Sequence, residues 1–426
     1  MRKTVVLLTS MALAMLLASG VALATQVDVG YRDFTYNSNA PTPTGDKPQS
    51  KLWYTPDGTW WGVLFNKSTN HYDIYRFDKA TQSWSDTGTI VETRGHTRSD
   101  ALWDGTHLYM TSSAIDTTTS DQKAYLRRYS FDPVTRTYTL DAGFPAVIGT
   151  GLMEALNFDK DTTGQLWATF TQADAQGVSH VYISHSQGGD DTSWSAPMVP
   201  PVTGPTVKAD DISAVVAFDL NTQAPKIGLM WSNQNASVMY FSTHTDGAPD
   251  TSWSPSIPVI QGKKSVDDHI NLKSLQTDSS GRVFAAAKTS FGDLASTPPD
   301  ATQIYLAVLG QNGAFSRYTV SRVQDDQTRP IVLIDTTHRQ LYVLAAGPNT
   351  TKYLVEPKAI YYKQTSLDNI TFPVGQGTPF IKSSTDTAID NPTSTKQNVN
   401  ATSGLLVEAQ NSGTHYYLHN FLDLNY

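Results

Sequence analysis

One unit recurs seven times along this chain: a short strand, a turn carrying Asp and often Gly, then an apolar strand. It reads KLWYTPDGTWWGVLF from Lys51, RSDALWDGTHLYMTS from Arg98, MEALNFDKDTTGQLWATF from Met153 and DISAVVAFDLNTQAPKIGLMW from Asp211. It continues as NLKSLQTDSSGRVFAAA from Asn271, RPIVLIDTTHRQLYVLAA from Arg329 and KQNVNATSGLLVEAQ from Lys396. The turn positions Asp57, Asp104, Asp161, Asp219, Asp278, Asp335 and Thr402 are spaced by 47, 57, 58, 59, 57 and 67 residues. Each interval holds four short strands with turn signals between them, the size of one propeller blade. The near-duplicate stretches HSQGGDDTSWSAP from His185 and HTDGAPDTSWSPS from His244 lie 59 residues apart, so a second phase carries the same period. The pattern predicts an all-β, seven-bladed β-propeller forming one domain over residues 25–426.

The last unit is one strand short. It offers strands near Lys396–Asn400, Leu405–Gln410 and His415–Leu424, while a lone strand candidate, Val27–Asn37, precedes the first blade. Joining the two would cover both open edges and close the ring. The stretch PTPTGDKPQS between Val27–Asn37 and the first blade reads as a polar connector.

Residues 1–24 read as a signal peptide: Arg2 and Lys3, an apolar run from Val5 to Leu17, then Ala22-Leu23-Ala24. The run is short of the roughly 20 residues a membrane span needs. The expectation is a monomer without a membrane span, secreted to the extracellular space or periplasm after cleavage near Ala24. No cysteine is present, so stability must come from a large core rather than disulfides. Without Arg2 and Lys3, the 31 basic residues fall to 29 against 39 acidic ones, a net of −10. That excludes the basic excess expected of a nucleic-acid binder.

The turns Asp191-Thr192-Ser193-Trp194 and Asp250-Thr251-Ser252-Trp253 resemble degenerate Asp-boxes of the sialidase-like β-propellers (BNR repeats), with Ser186 and Gly189 preceding Trp194. The wider pattern is similar to exported bacterial propellers of undefined activity. The resemblance implies fold, because Asp-boxes fix an outer turn away from the catalytic face. It brings six blades as the alternative to seven. Sialidases use three arginines on the substrate carboxylate, a Tyr/Glu pair and an Asp acid; here there is no Arg-Ile-Pro opening, and only two arginines begin innermost strands.

Chemistry is expected where innermost strands enter the channel. Lys51, Arg98, Arg329 and Lys396 stand six residues before their turn positions, and Glu154, Asp211, Asp268, His269, Asn271 and Lys273 lie near the same level. Asp100 follows Arg98 by two and shares its face. Cations on one side of the ring and carboxylates on the other suit a polysaccharide or glycoconjugate with an anionic group. Glu154 with Asp211 or Asp268 would serve a glycoside hydrolase, and His269 would serve as the base of a polysaccharide lyase. A lectin-like or protein-interaction propeller needs the same residues, and a solvated channel of paired charges is the bland alternative. No cofactor is expected. His415 and His419 share a strand face but lack a third metal ligand, and Asp159-Lys160-Asp161 with Gly164 is an ordinary hairpin rather than a calcium loop.

Overall fold

The computed structural model describes residues 21–22, 24–45, 47–219, 224–274, 281–294 and 296–426. Turn residue Asp278 and nearly all of the expected leader 1–24 lie outside the described residues. Seven antiparallel sheets follow one another around the ring, each running from an innermost strand to the strands outside it. The innermost strands are Leu52–Thr55, Thr97–Trp103, Glu154–Lys160, Ser213–Phe218, Ile270–Ser274, Thr328–Asp335 and Ile389–Thr393. The Lys51 and Leu52 amides donate to the Ser394 carbonyl at 3.1 and 3.0 Å, joining the seventh blade to the first. The fold is therefore a seven-bladed β-propeller, not a six-bladed one. Among the described residues no helix is long and apolar enough to cross a membrane.

The second strands, such as Thr59–Asn66 and Leu166–Ala173, are buried almost end to end. Both of their faces pack on neighbouring blades, which explains continuous apolar runs in place of strict alternation. The repeated Asp is a turn device: Asp104 Oδ1 accepts from the amides of Thr106 and His107, and Asp161 Oδ1 from those of Thr163 and Gln165. In the seventh blade this task falls to Asn400, whose Oδ1 accepts from the Thr402 and Ser403 amides, rather than to Thr402.

Closure joins the two chain ends. Tyr31–Thr35 pairs with Tyr416–Leu422, with Tyr31 opposite His419 and Arg32 opposite Leu418, and Thr25–Gln26 adds a short outer edge. Phe34 stacks on Tyr75 of the first blade at 4.8 Å and meets Tyr417 at 5.1 Å. Buried Tyr36 donates its hydroxyl to the Asn411 carbonyl at 2.8 Å. One boundary moves. The innermost strand of this blade is Ile389–Thr393, and residues 396–400, expected as that strand, lie beyond it, with Val399 bridging Asp335 of the sixth blade. Pro392 and the positive φ of Asn391 (54°) break the local alternation, so the pattern pointed past this strand to residues 396–400.

Candidate functional site

The innermost strands of three blades begin with the same distortion. Ala155, Arg329 and Asn391 hold φ of 55°, 55° and 54°, and each sits inside a register shift with its neighbouring strand. Such bulges re-aim side chains at a sheet's end, and a left-handed non-glycine residue is strained enough to need a compensating context. Here they place Glu154, Arg329 and Asp390 on one face of the ring.

On that face a single charge network forms, and its centre is Lys47 of the connector. Lys47 Nζ lies 3.3 Å from Glu154 and also pairs with Asp268. Arg98 Nη1 reaches Glu154 at 3.2 Å. His269 Nδ1 lies 2.5 Å from Asp267 and 2.8 Å from Asp268, while its Nε2 is 3.0 Å from Arg329 Nη1. A guanidinium only donates, so Nε2 accepts and the imidazole proton is assigned to Nδ1, facing the carboxylates. Lys288 holds Asp267 at 2.6 Å, and Asp390 takes Lys358 at 2.6 Å and Arg329 at 3.7 Å. Burial pushes the Asp268 carboxyl up, but the hydrogen bond donated by His269 Nδ1–H and the Lys47 ammonium outweigh it and hold the group well below the usual carboxylate range. Asp268 is thus an ionised carboxylate rather than a proton donor. The ligand atoms of Asp267, Asp268 and His269 lie within 4.8 Å of one another, yet ammonium groups already neutralise both carboxylates, which disfavours a cation there.

The other expected residues lie apart from this network. Lys51 is fully buried, donating to Ser99 Oγ at 2.7 Å with its ammonium 5.7 Å from the Tyr72 ring. Lys396 pairs with buried Asp100 at 2.7 Å. Lys273 is buried, and its hydrogen bond to Ser50 Oγ is long at 3.5 Å. Lys273, Lys396, Asn157, Asp159 and Pro48 line a cavity of about 50 Å³, room for a few waters. Lys47 binds the upper network while Ser50 touches Asp100 and Lys273, so the connector divides the expected ring into two layers.

Two polar residues expected to bind ligand are latches between blades. Asn271 Oδ1 accepts from the Val332 amide of the next innermost strand at 3.0 Å, and Asp100 accepts from the amides of Ser50 and Phe158 at 2.8 and 3.4 Å. Asn157 does the same for Val215 at 3.0 Å. Adjacent innermost strands diverge too far for a full ladder, so side chains satisfy the amides that would otherwise be buried unpaired. A signal was present: Asp100 and Asn157 both stand four residues before a turn Asp (104 − 100 and 161 − 157). Asp211 does not join the face. It is fully buried, accepting from Ser232 Oγ at 2.6 Å and from the Lys208 amide at 2.9 Å. Asp267 was legible beside Asp268 at the same level of the ring, but nothing in the sequence marked Lys47, Lys288, Lys358 or Asp390 as members of the network.

Burial, reinforced by the Lys396 charge, pushes the Lys273 amine down to about 7. Its folded value lies below its unfolded one, so between about pH 7 and pH 9 the unfolded chain binds more protons at this site, and stability rises with pH. Replacing Lys273 by Met should raise the urea midpoint most at pH 7 and progressively less towards pH 9. A wild-type-minus-variant difference that stays flat across this window would refute the assignment.

No protein-family model and no curated protein sequence matches the chain. Solved structures similar to it include an α-L-arabinanase from Penicillium chrysogenum complexed with arabinobiose (14% identity, 81% of this chain and 100% of that one, TM-score 0.47). A Dyadobacter fermentans protein of unknown function is 12% identical over 88% of this chain and 98% of its own, with a TM-score of 0.49. The Trypanosoma rangeli sialidase, in complex with the inhibitor DANA, is 12% identical over 78% of this chain and 58% of its own, with a TM-score of 0.46. At these identities and scores the likeness assigns no activity.

Proposed function

We propose that the protein binds an anionic polysaccharide on the face bearing Arg98, Lys47, His269 and Arg329. The observation that carries this reading is the gathering of cations on one face of an acidic chain: among the described residues Lys47, Arg98, Lys288, Arg329 and Lys358 join one network there, against a formal net charge of −8 overall. Arg98 and Arg329 keep 14% and 27% of their side chains exposed, enough to reach a carboxylate or sulfate laid across the face. Polygalacturonate and alginate should bind, and neutral dextran should not. Arg98→Ala and Arg329→Ala should each weaken binding about tenfold, and salt should weaken it further. Equal affinity for dextran, or unchanged affinity in both variants, would count against the site.

The His269 geometry favours a second reading, β-elimination on a uronate. Asp267 orients the ring through Nδ1, and the Nε2 lone pair, which accepts from Arg329 here, would be freed to act as base when that guanidinium turns to neutralise the substrate carboxylate. Nε2 would take the proton α to that carboxylate as the bond to the β-oxygen breaks, and the leaving oxygen would take a proton from water. The notch beside His269 and Arg329 has only about 10 Å³, so the sugar would lie on the face rather than enter. Ultraviolet absorbance of an unsaturated uronate, lost in His269→Ala, is the expected signature. New reducing ends without it would point instead to hydrolysis by Glu154 and Asp268, and binding without product would leave a lectin.

A further inference from the structure

The seventh blade, where the chain ends meet, contains a buried cluster outside the charged face. Glu408 lies opposite His419 in adjacent strands, and Asp33 of the N-terminal strand completes the group. The side chains of Asp33 and His419 are 1% and 0% exposed, and Glu408 is 0% exposed. Their ligand atoms all lie within 4.8 Å of one another. Aromatic rings wall the imidazole: Tyr31 stacks on it at 5.3 Å, and Phe77 meets it edge-on at 4.9 Å.

The cluster has more acceptors than donors. Both Glu408 oxygens and Asp33 Oδ1 are buried without a hydrogen-bond partner, and the Trp84 indole N–H beside Glu408 is likewise unpartnered rather than closing on it. His419 is flanked by acceptors on both sides, with Asp33 Oδ2 2.7 Å from Nδ1 and Gln82 Oε1 3.3 Å from Nε2. A neutral imidazole has one N–H, so with the Gln82 amide in this orientation a ring between two acceptors needs a second proton or a cation at one nitrogen.

We propose that Asp33, Glu408 and His419 bind one divalent transition-metal ion, with zinc the best fit, which staples the N-terminal strand to the last blade. One imidazole with two carboxylates suits a borderline ion; calcium prefers an all-oxygen shell of six to eight ligands, and magnesium keeps its waters. The ion would replace the proton between His419 Nδ1 and Asp33 Oδ2. Gln82 would take the Nε2 proton, the outer-shell contact that orients a ligating histidine. In a chain without cysteine, such an ion links residues 386 positions apart.

The test uses the full chain, stripped with a chelator and titrated with zinc chloride. One zinc per chain should bind, and the melting temperature should rise by roughly 5 °C or more at saturation. Glu408→Gln, close in shape, should remain folded by circular dichroism and lose the zinc, whereas Asp268→Asn should keep it and so exclude the surface cluster. No stoichiometric zinc and no thermal shift in the wild-type chain would overturn the proposal, whether or not the variant folds. Undiminished binding by a folded Glu408→Gln would overturn it equally and leave shared protons as what holds the cluster.

Discussion

A chain lacking residues 24–37 should fail to fold. The deletion removes the strand Tyr31–Thr35 and exposes the hydrogen-bonding edge of Tyr416–Leu422. It also removes Phe34 from its stack on Tyr75, and Tyr36 from its contact with Tyr417. Burying each such ring is worth about 1.5–3 kcal/mol, so the rings and lost ladder together amount to more than about 5 kcal/mol. That is comparable to the whole stability of a typical domain. The damage would extend beyond the seventh blade, because the Tyr417 hydroxyl accepts from the Phe65 amide at 2.8 Å and thereby links to the first blade. Circular dichroism melts and limited proteolysis should show an unfolded, protease-sensitive chain. A synthetic peptide spanning 24–37 should restore part of the cooperative transition. If the deleted chain melted within a few degrees of the intact one, closure by this strand would not be what holds the ring.

Replacing Lys47 by Ala should cost about 2–4 kcal/mol and reverse the acid response of the charged face. Lys47 is 7% exposed in its side chain and shared by Glu154 and Asp268, which are 26% and 21% exposed. The partial exposure of the carboxylates keeps the cost below that of a fully buried pair. In the wild type the folded Asp268 carboxyl is depressed, so its stabilisation is present above the unfolded value and is lost as pH falls towards the folded one. Without Lys47 the carboxylates of Glu154, Asp267 and Asp268 would crowd together, and their folded values should rise. A raised carboxyl contributes stability that is present at low pH and disappears as pH rises. Urea midpoints at pH 4 and pH 7 should therefore show a smaller gap between variant and wild type at pH 4. Asp268→Asn added to Lys47→Ala should recover part of the loss at pH 7. A gap independent of pH would mean that Lys47 acts through packing alone.

Some of the site was legible only as residue type. Asp100 and Asn271 read as polar groups aimed at a ligand, and both are polar groups aimed at the next strand's amide. Local alternation tells which side a residue faces, not whether a neighbouring backbone has an unsatisfied N–H there. The spacing of His415 and His419 puts them on one strand face in the sequence, but His415 is exposed at a left-handed turn (φ 57°). The real neighbours of His419 come from other strands.

The seven blades, turn carboxylates such as Asp104 and Asp161, and the strand from the N-terminus that closes the ring followed from the repeats alone. Each is a local periodic property, and the period counts the blades. The division of the channel residues into a charged face and a buried layer did not follow, nor did the place of Lys47 in that face. The connector carries no periodicity, and its position is set by the seven strand ends around it. Whether a charge at the mouth of a propeller meets solvent, a counter-ion or a neighbouring amide depends on distances between blades about 50 to 60 residues apart in sequence, and only the closed ring sets them.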